Sequence, residues 1–165
     1  MFSCPKMEKN IASKVRSLLY LGKSYSLDIG NHKTVGIEKN TFLFPQGLVF
    51  RLEKELYNWY TKQAREKITQ RVSYYAEVMH AEYLTLTFSD TKSQWGSCSH
   101  ENNLQFSWRL IMAPLSVLDY VIIHELVHTK EKNHSWKFWS EVRRITPAYK
   151  QHMKWLKLHA KELVI

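Results

Sequence analysis

The chain has 165 residues, of which 44% are hydrophobic and 24% charged, and its formal net charge is +9. These values are typical of one folded domain with its own core. Two cysteines, Cys4 and Cys98, exclude a disulfide scaffold. No apolar run is long enough for a membrane span, and because residues 1–6 lack the apolar middle region of a signal peptide, none is expected. We expect a reduced, cytoplasmic protein without membrane contact, whose positive charge favours anionic partners such as nucleotides or nucleic acid.

The N-terminal part of the chain, residues 1–47, predicts a small β unit. A stretch of alternating residues at 18–29 is followed by a predicted turn at Gly30-Asn31. Two more extended stretches follow within residues 33–44, and Pro45-Gln46-Gly47 interrupts the pattern.

The remaining residues, 48–165, predict an α+β core that packs with the N-terminal unit as one compact domain. Apolar residues at helical spacing predict one long helix, or two short ones, over residues 48–80. Strands are then predicted at 83–89 and 104–112 around a turn-rich segment, followed by helices from Pro114 to about Lys130, at about 136–145, and from Pro147 to about Leu163.

The most informative motif lies on the helix that begins at Pro114. His124 and His128 are separated by one helical turn, so both imidazoles can bind one metal ion. Glu125, between them, can act as a base toward a water molecule on that metal. The alternative is a pair of core histidines bonded to polar neighbours, because buried imidazoles need partners.

A catalytic zinc site needs a third protein ligand and one open position. His134 is the preferred candidate, because the loop is short and Asn133 tolerates a left-handed turn. Glu141 on the next helix is the main rival, and the more distant His152 and His159 are the others. The spacing equals that of the long zinc motif with a Gly after the second His, but Glu131 stands in place of the Gly. The turn is therefore expected later, with the helix continuing to about Lys130.

Several further pieces occur in a fixed order around this motif. They are Trp95-Gly96-Ser97-Cys98-Ser99, Asn103-Leu104, Trp108-Arg109-Leu110, Ala113-Pro114, the stretch Leu118 to His128, Asn133-His134-Ser135 and Phe138-Trp139. Together they resemble the YgjP-like family of zinc metallopeptidases, also described as metal-dependent hydrolases and related to the SprT-like proteases. The likeness is close over residues 90–157 and looser over 12–80.

The resemblance implies a zincin-like core, in which a small antiparallel sheet packs on the metal-binding helix and one sheet edge forms the substrate cleft. It implies zinc on His124, His128 and His134 with Glu125 catalytic, and it places Trp95, Ser97 and Arg109 near the site. Gln94 departs from the basic residue usual in the family, so an anion-binding role there is in doubt.

Other residues around the motif have roles that can be predicted from their chemistry. Arg109 could stabilise an oxyanion, or it could pair with Asp119 or Glu125 as part of the scaffold. Asp119 could also hold a ligand imidazole through its second nitrogen. Cys98 is expected to be a core thiol. Four aromatic residues are expected in the core rather than the cleft: Trp108, Trp136, Phe138 and Trp139.

Three functions are compatible with these residues. The first is a zinc metallopeptidase in which an extended peptide or protein substrate adds to an unpaired strand. The second is a nucleotide (UTP-type) pyrophosphatase, an activity that the resemblance implies because it is attributed to some family members, with Arg109 and Lys92 holding phosphate. The third is a zinc-containing nucleic-acid-binding module, or a SprT-like protease acting on DNA-associated proteins.

Overall fold

The computed structural model describes residues 17–165. Cys4 and the part of the predicted β unit before residue 17 lie outside the described residues. Among the rest, a four-stranded sheet, a long helix, a three-stranded sheet and three shorter helices follow one another along the chain. This is the predicted α+β architecture.

The N-terminal sheet has the strand order β1-β2-β4-β3. Its strands are β1 (Leu18–Tyr20), β2 (Lys23–Gly30), β3 (Gly36–Glu38) and β4 (Thr41–Pro45). β2 and β4 are parallel, and the other two pairs are antiparallel. Phe42 and Phe44 of β4 are fully buried, so this sheet contributes directly to the hydrophobic core.

One turn in this sheet differs from the prediction. The stretch 18–29 is not continuous, because a two-residue hairpin at Leu21-Gly22 divides it into β1 and β2. Both residues have positive φ, 48° and 75°, as a tight hairpin of the mirror-image type requires. Leu21 and Gly22 donate backbone hydrogen bonds to the carbonyls of Ile111 and Met112. Contacts with this distant segment, which precedes Pro114, therefore hold the turn.

A single long helix, α1 (Leu52–Met79), follows a short 3-10 helix at Gln46–Arg51. Buried residues recur along it at intervals of four: Leu52, Leu56, Tyr60, Ala64, Ile68 and Val72. This stripe packs the helix along the core. The helix ends at His80, which has the left-handed conformation that often terminates helices.

The second sheet contains β5 (Thr85–Ser89), β6 (Gly96–Cys98) and β7 (Asn103–Ser107), in the order β5-β7-β6. It is mixed rather than purely antiparallel as predicted. The β6–β7 hairpin is antiparallel, and β7 lies between the two earlier strands and runs parallel to β5. β6 is therefore an edge strand.

The strand predicted at 104–112 ends early, at Ser107. The Ser107 hydroxyl donates to the carbonyl of Thr91 and accepts from the backbone N–H of Arg109, which diverts the chain from the sheet. Trp108–Met112 then forms a buried 3-10 helix. The apolar pattern of these residues reflects burial on all sides and not strand alternation.

Three helices complete the chain: α2 (Leu115–Val127), α3 (Trp136–Ile145) and α4 (Tyr149–His159). α2 ends three residues before the predicted limit and continues as turns through Lys130. The left-handed turn expected at Asn133 is not formed, since positive φ values among the described non-glycine residues occur only at Leu21, Lys39, His80 and Asn102. None of the described helices combines the length and apolar character needed to cross a bilayer.

Candidate metal centre and active site

Helix α2 carries most of the candidate site and lies in the middle of the molecule. Nine of its 13 residues are buried, among them Leu118, Ile122 and Leu126. Arg71 of α1 binds both carboxylate oxygens of Asp119 at 2.7 Å, which joins the long helix to α2. The helix that presents His124, Glu125 and His128 is therefore held by packing and by a bidentate ion pair.

Three imidazoles converge at the end of α2. The Nε2 atom of His134 lies 3.1 Å from Nε2 of His124 and 3.2 Å from Nε2 of His128. Nitrogen ligands at about 2.0–2.1 Å from a tetrahedral metal ion are about 3.3 Å apart. Spacing and atom type thus fit one small metal ion bound by three imidazoles.

The protonation of two of these rings, His124 and His128, also suits a metal. Burial, together with the neighbouring His128 and His134, lowers the pKa of His124 to about 3. Burial likewise lowers the pKa of His128, whose Nδ1 lies 3.0 Å from the carbonyl oxygen of Glu131. When Nδ1–H of His128 donates to that carbonyl, the lone pair on Nε2 is free to bind a metal. Neutral imidazoles with inward lone pairs are the form that binds metal.

Phe138 of α3 is a residue of the site whose role the sequence did not indicate. It is fully buried, and its ring centre lies 4.8 Å from that of His124, 4.5 Å from His128 and 4.7 Å from His134. Trp139 stacks beside His134 and on Tyr149. One phenyl ring therefore contacts all three imidazoles. The expectation that Trp108 and Phe138 are core residues is confirmed, whereas Trp136 is 77% exposed.

Glu125 lies beside the histidine cluster in a desolvated position. Its side chain is 7% exposed, and burial raises the pKa of its carboxyl to about 7. Gly96 of β6 lies directly against it. A Cβ placed on Gly96 would be 2.7 Å from Cγ and 2.8 Å from Oε1 of Glu125. Only a glycine lets the edge strand approach the carboxyl this closely.

Within the described residues, the outer edge of β6 has unpaired backbone N–H and C=O groups at Gly96, the residue that lies against Glu125, and at Cys98. Ser107 N–H donates to the carbonyl of Trp95, and Ser99 N–H donates to the carbonyl of Asn103. Because bonded pairs alternate in an antiparallel ladder, the polar groups of Gly96 and Cys98 point away from β7. Among the described strands, none pairs with β6 on that side.

Lys132 connects the loop between His128 and His134 to the β6–β7 hairpin. Its ammonium donates to the carbonyl of Ser99 at 2.9 Å and to Oδ1 of Asn102 at 2.5 Å, and lies 3.9 Å from Sγ of Cys98. An ammonium has three donors, and these contacts engage all of them. The loop that carries His134 and the turn of the β6–β7 hairpin are thereby joined.

Arg109 does not reach the cleft. It is 6% exposed, donates to Asp90 Oδ1 at 2.9 Å and to the carbonyl of Leu163, and lies over the Trp108 ring. Of the two roles left open for it, the scaffold role fits this environment, although the partner is Asp90 and neither Asp119 nor Glu125. Asp119 is engaged by Arg71, and it holds neither helix imidazole: Nδ1 of His124 is buried without a partner among the described residues, and Nδ1 of His128 meets the carbonyl of Glu131.

The two other residues expected near the site lie beside Gly96. Trp95 is half-buried against the core and precedes β6. Ser97 pairs with the exposed Gln105, so strand alternation places its side chain on the solvent face, opposite the side that meets Glu125.

The rival third ligands lie outside the cluster formed by the three histidines. Glu141 accepts a hydrogen bond from Arg144 at 2.9 Å. His152 lies against Tyr120, and His159 stacks on Trp155 and bonds to the carbonyl of that residue. His134 is therefore the candidate that the fold brings to His124 and His128.

Comparison with known proteins identifies the family of the chain. The model of the YgjP-like metallopeptidase domain family matches residues 4–159. The chain belongs to this family. Its family is that of a metallopeptidase-type hydrolase with a metal cofactor, and the three-histidine cluster could hold a metal ion.

One solved structure shows the same fold. It is the crystal structure of the metallopeptidase zymogen of Pyrococcus abyssi abylysin, at 18% identity and a TM-score of 0.50. The similarity covers 57% of this chain and 93% of that chain. A search of the curated proteins found no match.

Proposed function

We propose that this protein is a zinc-dependent peptidase in which Glu125 is the general base. The observation that carries the proposal is the meeting of three elements: the imidazole cluster, the Glu125 carboxyl and the free edge of β6. Gly96 brings the strand edge into contact with the carboxyl, and Glu125 follows directly after His124 on α2.

Zinc suits this donor set because three neutral imidazoles leave one tetrahedral position open. His124, His128 and His134 would hold the ion through their Nε2 atoms. When bound, zinc supplies a Lewis acid that polarises a carbonyl and lowers the pKa of a water molecule toward neutrality.

Glu125 performs the proton transfers in this proposal. Its carboxylate accepts a proton from the attacking water and then donates it to the nitrogen of the leaving amine. A desolvated carboxyl, whose pKa burial raises to about 7, is suited to both steps near neutral pH.

The free edge of β6 is the proposed substrate platform. An extended peptide can add as a new strand, with its backbone bonded to the outward groups of Gly96 and Cys98. Pairing through the backbone alone accepts many side chains. We therefore propose unstructured segments of peptides or proteins as the substrate class.

The test combines a catalytic variant with metal analysis. Wild type and Glu125→Gln, both loaded with zinc, are assayed against casein and a fluorogenic peptide library. We expect the variant to retain zinc and to lose about 10²–10⁴-fold in turnover, the usual contribution of a general base. Unchanged turnover in zinc-loaded Glu125→Gln would remove Glu125 from the mechanism.

The ligand assignment needs its own comparison. His134→Ala should contain far less zinc than wild type, whereas His159→Ala, a histidine outside the cluster, should contain the same amount. Equal zinc in His134→Ala and wild type would exclude His134 as a ligand. Pyrophosphate release from nucleoside triphosphates, measured in parallel, would support the competing nucleotide hydrolase if it exceeded peptide cleavage.

A further inference from the structure

The positive charge of the described residues is concentrated at the C-terminal end. Residues 17–135 carry 13 basic and 12 acidic side chains, a net charge of +1. Residues 136–165, which form α3, α4 and the turns after them, carry seven basic and two acidic side chains, a net charge of +5. Such an asymmetry is typical of a surface that meets a polyanion.

Four exposed lysines lie along one side of α4 and the 3-10 turn that follows it. This lysine stripe consists of Lys150, Lys154, Lys157 and Lys161. Their intervals of four, three and four residues place them on one helical face, over about 16 Å at 1.5 Å per residue. Tyr149 and Leu156 on the other side of α4 are buried, so the stripe faces solvent.

No ion pair within the described part of the chain engages the lysines of the stripe, although Glu162 follows Lys161 in the 3-10 turn. α4 contains no Asp or Glu, and none of the four ammonium groups forms a hydrogen bond or ion pair with a described residue. Like charges at these spacings destabilise a helix, and Lys150 also meets the positive end of the helix dipole. An external anion would relieve both effects.

We propose that the lysine stripe binds the phosphate backbone of a nucleic-acid duplex. A duplex presents one charge about every 1.7 Å of its axis, so a row of four lysines on one helix finds phosphates in many registers. The stripe contains no aromatic or arginine anchor of the kind that concentrates binding energy in protein interfaces. It therefore fits a repeating anion better than one acidic protein.

An anionic membrane is the alternative ligand for the lysine stripe, and the experiment must distinguish it from a nucleic-acid duplex. Exposed Met153 and Leu158 lie on either side of the stripe and could touch a bilayer. Helices that lie in a membrane surface, however, insert their apolar face. The apolar face of α4 is packed on the protein, and the outermost residues are lysines, which favours nucleic acid.

Binding at the stripe does not use the catalytic groups. On the inner face of α4, Tyr149 stacks on Trp139, whose ring centre lies 5.6 Å from that of His134. The stripe is on the opposite face of the same helix. Duplex binding should therefore persist in Glu125→Gln, and its presence or absence is independent of the proposed peptidase activity.

The experiment measures anisotropy of a fluorescent 20-base-pair DNA duplex against full-length protein over a series of salt concentrations. The test variant replaces the four stripe lysines with Gln. The matched control replaces four exposed lysines elsewhere, Lys23, Lys33, Lys54 and Lys62, with Gln, and so has the same net charge. Circular dichroism establishes that both variants fold like wild type.

For four phosphate contacts, we expect wild-type affinity to fall about 100-fold between 50 and 200 mM salt, a logarithmic slope near −3.6. The control variant should keep that slope, and the stripe variant should lose most of it. Equal slopes in the stripe variant and wild type would overturn the proposal. Binding to phosphatidylserine vesicles or to polyglutamate as tight as to the duplex would overturn it as well.

Discussion

Gly96 offers a sharp test of how the edge strand and the catalytic carboxyl depend on each other. In Gly96→Ala, the new Cβ would lie 2.7 Å from Cγ of Glu125. Carbon atoms pack best at about 3.5–4.0 Å, so the strand or the carboxyl must move by about 1 Å. A displacement of that size at a reacting group costs on the order of 100-fold in rate.

We therefore expect Gly96→Ala to lower kcat for a peptide substrate by about 100-fold while zinc content stays at the wild-type level. Zinc should stay because the three imidazoles are on α2 and the following loop, not on β6. The assay is steady-state peptide hydrolysis together with metal analysis and thermal unfolding. Gly36→Ala is the matched control, since Gly36 is also a strand glycine and has nothing within 4 Å of the added Cβ.

A double mutant separates a local from a general effect. If Gly96 acts through Glu125, then Gly96→Ala should cause little further loss in a Glu125→Gln background, because the effects of coupled residues are not additive. A wild-type kcat in zinc-loaded Gly96→Ala would refute the reasoning. So would independent, additive losses in the double mutant.

Three further predictions follow from contacts of the site and fold. Phe138→Leu should reduce zinc affinity about 10-fold, measured by competition with a chelator, because the ring that contacts all three imidazoles is lost; wild-type affinity would contradict this. Lys132→Met should raise KM for long peptides more than for dipeptides at full zinc content, because Lys132 holds the β6–β7 hairpin on which a long peptide would lie. Lys137→Met is the control. An equal effect on both substrate lengths would show that Lys132 does not position β6. Gly22→Ala should lower the melting temperature by about 5–10 °C, because φ is +75° and the new Cβ would lie 2.7 Å from Pro114 Cγ, whereas Gly47→Ala should change it little.

The local part of the fold could be predicted from spacing alone. The long stripe from Leu52 to Val72 marks a helix because its buried residues recur at helical intervals. The segment around Ile122 is apolar on all sides, and the Pro114 that precedes it predicts the start of a helix. Element boundaries were less predictable where a tertiary bond decided them. Ser107 ended a strand through its bonds to Thr91 and Arg109, and the Leu21-Gly22 hairpin depends on carbonyls about 90 residues later in the chain.

The sequence by itself determined the identity of the histidine-glutamate motif, since His124, Glu125 and His128 occupy neighbouring positions on one helix and their relative placement is a matter of helical geometry. Only the tertiary structure decided what surrounds the motif. Which side chain joins as the third imidazole, why position 96 is a glycine, and why Arg109 serves the scaffold depend on elements that meet across the core. Contacts between distant segments are set by packing and long-range hydrogen bonds, which no local pattern of residues encodes.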